Sequence, residues 1–567
     1  MAAQKKNQKK DDNAEGLYFI PLGGAEQFGV NLNVYIEGTL SEGRRLAVDC
    51  GIGFADERFP GIDLLLPDPA FLEAARDQLD GLVITHAHED HIGAVALLWK
   101  RLRCPVYASP FTAAVLAKKL EEQGERDVPV HVVDHTDPVH IGAFSVQFIP
   151  VAHSVPDTRA LIIETEHGRI VHSGDWNLDP HPVTGQPTDP APFKAVGDRG
   201  VLAYIGDSTN AGVSGRSGSE RAVAEGLEAT FKACRGRIAV TSFSSNIGRV
   251  ISIAKAAQAC GRQVAVIGRS LHRMIGCARE CGYMKDVPDF ISEEEAVKRS
   301  PEEIVLIVTG SQGEARAALA KIARGEHPSV TLSKGDTVVF SARAIPGNER
   351  DINHVKNNLM AGGVHIISPG DTPHIIHVSG HPCREEILEM YQWTRPQIVV
   401  PVHGERVQLE AQAALARDCQ IQDVLIPVNG SVIRLAPGTP GIVDHVETGL
   451  LAVETKRVIE ASHAAIAERR KLQYSGAVHI ALAVGEHGRI VGDPKLDMVG
   501  LIDTDSAGEE QIREALLNEI FELVEDMTLE EREDEHFMAE TLRIGARRFC
   551  SHTLGFKPKT SVHILKV

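Results

Sequence analysis

The chain has 567 residues, 43% of them hydrophobic and 24% charged, with a formal net charge of −18 at pH 7. At a soft guide of about 150 residues per domain this allows three or four domains, and so ordinary a composition excludes a wholly disordered chain, a collagen and a coiled-coil rod. No run approaches the ~18 uninterrupted apolar residues of a membrane-spanning helix, so no membrane partner is expected, and nine scattered cysteines make no disulfide framework.

The first residues, MAAQKKNQKKDDNAEG, carry lysines without the apolar core of a secretory signal. They read as a disordered basic tail over 1–16, and a reducing cytoplasm is the simplest compartment. Residues 17–212 are rich in short β-branched or aromatic runs bounded by Gly, Asp or Pro: LYFIPL, LNVYIE, RLAVDC, GLVITH, FSVQFIP, ALIIET and RIVHSG. From 213 to 370 the rhythm changes. Helical stretches (SERAVAEGLEATFKAC, NIGRVISIAKAAQAC, SLHRMIGCARECG) alternate with buried-type strands (RIAVTS, QVAVIG, EIVLIVTG, TVVFSA). That alternation predicts βαβ units and a parallel sheet. Residues 371–450 return to short strands ending in polar motifs, HIIHVSGH, PQIVVPVHGE and SVIRLA. A linker over 451–470, helical in VIEASHAAIAERRK, leads to a small α+β domain over 471–567 with strands AVHIALAV and GRIVGD.

The acidic balance does not advertise a nucleic-acid partner, but a groove is built from local charge and bound ions. Histidine is the unusual residue, with 25 copies, several of them clustered. The segment Thr85-His86-Ala87-His88-Glu89-Asp90-His91 follows the apolar strand LVIT and precedes the helix IGAVALLWKRL. A core strand seldom tolerates three imidazoles and a carboxylate within six residues, because each buried polar group needs a partner. An extended strand end throws His86 and His88 to one side, and the turn presents Asp90 and His91 beside them. Such a set serves two metals a few ångströms apart, and imidazole with carboxylate suits Zn²⁺ or Mn²⁺. His153, Asp175, His381 and His403 also close apolar strands, and strand termini bring distant residues together.

The order HAHEDH, AHS, SGD and a late VHG resembles the metallo-β-lactamase fold. DSTNA (207–211), TSFSSNIGRV (241–250), VTGSQGE (308–314), IPGNE (345–349), HVSGH (377–381) and PVHGE (401–405) narrow the resemblance to the β-CASP group of nucleases, and with the C-terminal domain to the bacterial ribonuclease J family. The likeness covers roughly residues 17–567. It implies an α/β chain: a metallo-β-lactamase αββα sandwich with an inserted β-CASP α/β domain and a small α+β C-terminal domain. It also implies a two-metal RNA hydrolase with 5′-to-3′ exonuclease activity on 5′-monophosphate RNA and endonuclease activity, acting in rRNA maturation and mRNA decay. A β-CASP DNA nuclease, a small-molecule hydrolase of the same fold and an inactive scaffold subunit are the alternatives. His403 at the third insertion motif favours RNA.

Carried over residue by residue, the resemblance implies that His86, His88 and His153 hold one metal. Asp90, His91 and His403 hold the second, and Asp175 bridges both. The cofactors expected are two Zn²⁺, with Mn²⁺ as the alternative activating ion. Asp90, Asp175 and His381 are the catalytic candidates, His381 serving the departing 3′ oxygen. His377, Val378, Ser379, Gly380 and His381, with Ser245, are the candidate pocket for a terminal phosphate; Ser245 or Asn246 equally suits the N-cap of the next helix. Asp49 supports the histidine loop, and Asp49, Gly51 and Asp444 are candidates for a structural Ca²⁺. Pro382-Cys383 departs from the family pattern and leaves the following helix start open. Arg249, Arg343 and Arg350 flank the insertion motifs, as RNA contacts or as structural arginines. The partners implied are single-stranded RNA with a 5′-monophosphate and a second copy of the chain, as homodimer or homotetramer.

Overall fold

Strand Phe144–Pro150 shows how a period-two pattern builds the interior. Phe144, Val146 and Phe148 enter one core cluster, whereas Ile149 enters another on the opposite face. Its partner Arg159–Thr165 does the same, with Leu161 and Ile163 on one side and Ala160 and Ile162 on the other. A strand apolar on both faces must be covered on both, and that requirement makes layers.

The computed structural model describes residues 14–455, 457–503 and 506–567. The tail expected over 1–16 falls on residues 1–13, outside the described residues, and a strand already begins at Gly16. The chain divides into two units. One holds the residues up to Gly53 and Leu66–Gly449, the other Phe54–Leu65 and Leu450–Val567.

The larger unit contains two facing sheets. The first has the order Gly441–His445, Ser431–Ala436, Gly16–Gly23, Leu32–Gly38, Arg44–Val48, Leu79–Ile84, Val106–Ala108, Val130–Val132. The second runs Asp423–Val424, Ile398–Val402, Ala203–Asp207, Gly168–His172, Arg159–Thr165, Phe144–Pro150, Val139–Ile141. Leu17, Phe19, Tyr35, Leu46 and Val83 of the first sheet share one buried cluster with Phe144, Phe148, Leu161, Ile205 and Val400 of the second. The outer face of the second sheet packs against Phe193, Met390, Tyr391 and Leu415 from three helices. Helices Val95–Leu102 and Pro110–Gln123 belong with the first sheet. This is the αββα sandwich of the metallo-β-lactamase fold.

Between Ala203–Asp207 and Ile398–Val402, which are paired neighbours, the chain leaves to build a third sheet. Its five strands, Gln263–Ile267, Ile304–Val308, Ile238–Thr241, Thr337–Phe340 and His365–Ile367, are all parallel. Helix Glu220–Ala233 leads into this sheet, and Ile247–Ala259, Arg269–Glu280, Ala318–Ala323 and Glu349–Ala361 lie between its strands, as the alternating pattern predicts.

Two expectations are corrected here. HIIHVSGH does not form a strand. Residues 374–381 are irregular, and their carbonyls are taken by side chains: Ile376 by Ser341, Ser379 and Gly380 by Asn177, His381 by Asn210. Without a strand, the alternation that would place His377, Ser379 and His381 on one face does not apply. The link at 451–470 is not simply helical either. Leu450–Glu454 and Arg457–Glu460 form a β-hairpin, and the helix begins only at Ala464, where the His463 side chain accepts from the Ala465 N–H. In the same smaller unit, Ile490–Val499, Ala477–Val484 and Lys559–Lys566 form a sheet whose Val478, Ile480 and Leu482 pack on Leu516, Ile520, Met538 and Leu542 of two helices.

Candidate metal centre

Parallel pairing decides where the polar residues meet. Arg44–Val48 runs parallel to Leu79–Ile84, and Gly168–His172, Ala203–Asp207 and Ile398–Val402 run parallel to one another. Their carboxyl ends coincide, and at or just beyond those ends stand Asp49, His86, Asp175, Asp207 and His403. His153 follows the end of Phe144–Pro150. Two of these positions are backbone-strained: Asp49 and His403 lie at φ 64° and 55°, a region that few residues other than glycine adopt. Strain of this kind concentrates where a side chain must be aimed.

Ligating atoms of His86, His88, His153 and Asp175 lie within 4.8 Å of one another, and so do those of Asp90, His91 and His403. A third such group joins Asp175, Asp207, His381 and His403. The Asp175 carboxylate belongs to the first and third of these groups and lies beside His91 and His403 of the second. Its Oδ2 is 3.3 Å from His91 Nε2, 3.4 Å from His86 Nε2, 3.5 Å from His403 Nε2 and 3.7 Å from His153 Nε2.

The far nitrogen of each ring shows which atom faces inward. His153 Nδ1 gives its hydrogen to the Gly380 carbonyl at 2.7 Å, and His91 Nδ1 gives its hydrogen to Asp49 Oδ2 at 2.7 Å. Thr85 Oγ1 donates to Asp49 and so accepts from His86 Nδ1 at 3.0 Å. His88 differs: its Nδ1 stands 3.0 Å from His86 Nε2 and 3.1 Å from His153 Nε2, while its Nε2 meets Ser154 Oγ. Three nitrogens thus point at one place. Such outer partners fix tautomer and ring orientation in metal sites.

The electrostatics ask for positive charge. Both Asp175 oxygens are buried without a protein hydrogen-bond partner, a costly state for a carboxylate unless a cation meets it. Burial would raise its carboxyl, but His403, His91, His381 and His86 hold it well below the usual range. Burial first, and neighbouring imidazoles second, push His86, His88 and His153 below the ordinary histidine value and leave their inward nitrogens bare. At His91 burial is outweighed by Asp175, Asp90 and Asp49, which hold the ring well above that value, and a set of imidazoles and carboxylates without thiolates fits divalent Zn²⁺ or Mn²⁺.

His381 borders the group on its open side. Its side chain is 22% exposed and that of Asp90 33%, whereas Asp175 is at 2%. His381 Nδ1 donates to Asp207 Oδ2 at 2.8 Å. Burial opposes a charge on the ring, yet Asp207 and Asp175 outweigh it and hold His381 up to about 9.

The other expected residues fall as follows. His377 Nδ1 lies 3.4 Å from Arg249 Nη1, and burial with Arg249 and Arg343 pushes the ring down to about 3. Ser379 Oγ accepts from Asn210 Nδ2 at 2.8 Å and from the His381 N–H. Val378 packs over Gly218. Asn246 caps the helix Ile247–Ala259, so the Ser245 hydroxyl is not its cap. The helix after HVSGH starts at Arg384 with Cys383 as N-cap. Arg249 is fully buried, with bidentate contacts to Glu220, and is no surface contact for RNA.

Asp444 is not brought to Asp49. It lies on the edge strand Gly441–His445, with three strands between it and Arg44–Val48, about 19 Å at ~4.8 Å per strand. Asp49 spends both oxygens on Thr85 and His91. Gly51 serves close approach instead: a Cβ there would stand 1.6 Å from the Asp90 carbonyl oxygen. Asn31 and Asn177 escaped the sequence reading, although Asn177 lies two residues from Asp175, and Asn210, inside the DSTNA motif, was given no role of its own.

Family models match in the same order as the layers. They are a beta-lactamase superfamily domain (residues 44–193), the ribonuclease J beta-CASP domain (235–359), a Zn-dependent metallo-hydrolase RNA specificity domain (373–427) and the ribonuclease J C-terminal domain (464–567). Ribonuclease J of Sinorhizobium meliloti is 43% identical over 554 residues, covering 98% of each chain. Ribonuclease J of Mycolicibacterium smegmatis is 38% identical over 83% of each chain. A solved structure of a protein of unknown function from Enterococcus faecalis shares the fold at a TM-score of 0.51 and 15% identity, over 74% of this chain and 100% of that one. The parallel strand ends, the histidine-rich centre and the likeness to the Sinorhizobium meliloti enzyme over 98% of each chain agree: the chain belongs to the ribonuclease J family of metal-dependent metallo-β-lactamase/β-CASP ribonucleases.

Proposed function

We propose that this ribonuclease degrades single-stranded RNA from a 5′-monophosphate end in the 5′-to-3′ direction and also cuts internally, in rRNA maturation and mRNA decay in the cytoplasm. Two Zn²⁺, with Mn²⁺ as alternative activating ion, are its cofactors. The observation that carries the reading is the convergence of two ligand groups on one unpartnered carboxylate, Asp175. His86, His88 and His153 would hold one ion, Asp90, His91 and His403 the other, with Asp175 between them. Two bound ions supply charge neutralisation at the phosphoryl oxygens and a water acidified towards pKa ~7.

The chain's own residues do the rest. Asp207 accepts the Nδ1–H of His381, which leaves Nε2–H to meet the departing 3′ oxygen and donate a proton to it. The product keeps a 5′ phosphate. Ser379 accepts two hydrogen bonds, so its own hydroxyl hydrogen is free for a terminal phosphate. His377 stays neutral and turns Nδ1 toward Arg249, which leaves its Nε2–H as a second donor. Ser245 and the backbone at Val378 and Gly380 complete the pocket. Binding the terminal phosphate there sets the scissile bond at a fixed distance from the end.

The domain division that accompanies this reading is 17–212 with 371–450 as the catalytic sandwich, 213–370 as the insertion and 471–567 as the C-terminal domain. Homodimers or homotetramers are supported by an open face of the C-terminal sheet. There Val491, Ala483 and Leu565 stand in one cross-strand row, and Val491 and Leu565 are 51% and 62% exposed. The test is digestion of 5′-monophosphorylated RNA, with 5′-hydroxyl and 5′-triphosphate RNA beside it, by wild type, His88→Ala and His381→Ala. Mononucleotide release from the monophosphate alone, lost in both variants, is expected. Equal exonucleolytic rates on all three ends would overturn the pocket.

A further inference from the structure

Asn31 touches every residue of the second ligand group from a loop that carries no motif. It is 3% exposed. Its Nδ2 donates to the Asp90 carbonyl oxygen at 3.0 Å and lies 3.3 Å from His91 Nε2, while its Oδ1 is 3.2 Å from His403 Nδ1. A backbone carbonyl can only accept, so the contact with Asp90 decides which end of the amide carries the NH₂. The oxygen then faces His403 and accepts its Nδ1–H. His403 Nε2 keeps its lone pair, 3.5 Å from Asp175 Oδ2 and 3.8 Å from Asp90 Oδ2. One amide orientation selects the tautomer of a ring 372 residues away.

The surrounding backbone is built for that amide. The Asn31 N–H also donates to the Asp90 carbonyl, and the Asn31 carbonyl accepts from Gly51 N at 2.9 Å. Gly24 lies at φ +87°, and a Cβ there would stand 2.1 Å from Asn31 Oδ1. The Gly24 carbonyl in turn accepts the His403 N–H at 2.9 Å. The first ligand group relies on other supports, Gly380 for His153 and Thr85 for His86.

We infer that Asn31 is a positioning residue for the second cation site alone: it sets the affinity of the ion held by Asp90, His91 and His403 and leaves the His86–His88–His153 ion unchanged. The inference rests on the two-ion reading above. Outer partners of this kind are typically worth 10–100-fold in metal affinity. The experiment measures zinc bound per full-length chain by equilibrium dialysis against buffered Zn²⁺, for wild type, Asn31→Leu and His153→Ala. Wild type is expected to take two ions. Asn31→Leu should keep one at unchanged affinity and bind the other about 10–100-fold more weakly, and His153→Ala should weaken the opposite ion. Wild-type affinities for both ions in Asn31→Leu, or an equal loss of both, would overturn the inference. Fewer than two ions in wild type would instead overturn the two-ion reading. If Asn31→Leu does not fold, a crystal structure of the zinc-loaded wild type decides. His403 ligating through Nε2 with Asn31 Oδ1 at Nδ1 supports the inference; ligation through Nδ1, or an amide turned away, refutes it.

Discussion

Gly380 holds His153 by its carbonyl oxygen at 2.7 Å, across 227 positions of chain. The segment proposed to receive the RNA end therefore also orients a ligand of the first ion. A Cβ at Gly380 would stand 2.9 Å from His153 Cε1 and 2.9 Å from Ser154 Oγ. Gly380→Ala is expected to weaken the first ion by about 10–100-fold and to lower activity in step. Metal titration with parallel RNA assays checks this, and full activity with tight zinc would refute the coupling.

In the proposed mechanism Asp207 acts on the reaction through His381, whose Nδ1–H it accepts. Asp207→Asn leaves the ligands in place but removes the charge that holds the imidazolium. It should lower kcat by about 10²–10⁴, the usual range for a lost acid–base contribution, with little change in KM. A fall confined to KM would assign Asp207 to RNA binding instead.

The buried pair Arg249–Glu220 ties the insertion to the pocket segment. Arg249 Nη1 donates to the Ser341 carbonyl at 2.6 Å and to Ser341 Oγ at 2.7 Å, and Ser341 Oγ donates to the Ile376 carbonyl. Arg249→Ala leaves the mostly buried Glu220 carboxylate without its cation, with the 3.4 Å contact from Asn246 Nδ2 remaining, and should cost about 3 kcal/mol in denaturant unfolding. The salt dependence of RNA binding should keep its slope, because Arg249 neutralises no phosphate. A shallower slope would return it to the RNA surface.

His172 is buried, with its Nδ1 2.9 Å from the Tyr35 hydroxyl. Burial pushes it down to about 4. The unfolded chain takes up that proton near pH 6.5 and the folded chain does not, so stability is unaffected above pH ~6.5 and falls as pH drops from there towards 4. Between pH 6.5 and 5 the loss from this one group is about 2 kcal/mol. His172→Gln should lose correspondingly less over the same interval in urea unfolding. Parallel pH slopes would contradict the assignment.

Much of this was legible in the order of residue types. An apolar strand that ends in His or Asp is conspicuous because the strand pattern marks what is buried and the polar residue interrupts it. HAHEDH, AHS, SGD and VHGE could all be found this way. The same reasoning failed at HIIHVSGH, where an apolar run satisfies its carbonyls through Ser341, Asn177 and Asn210 rather than a neighbouring strand. Asp444, expected beside Asp49 from the family resemblance, lies elsewhere, because no local pattern reports which sheet edge a strand will occupy.

The donor types, their placement at strand ends and the two-sided apolar pattern follow from local chemistry and were already present in the linear chain. Which nitrogen turns inward was not, since three of the rings take their tautomer from a partner supplied by another part of the chain: Asp49 for His91, Gly380 for His153 and Asn31 for His403. A hydrogen bond acts over about 3 Å, so its effect exists only after folding has closed those separations.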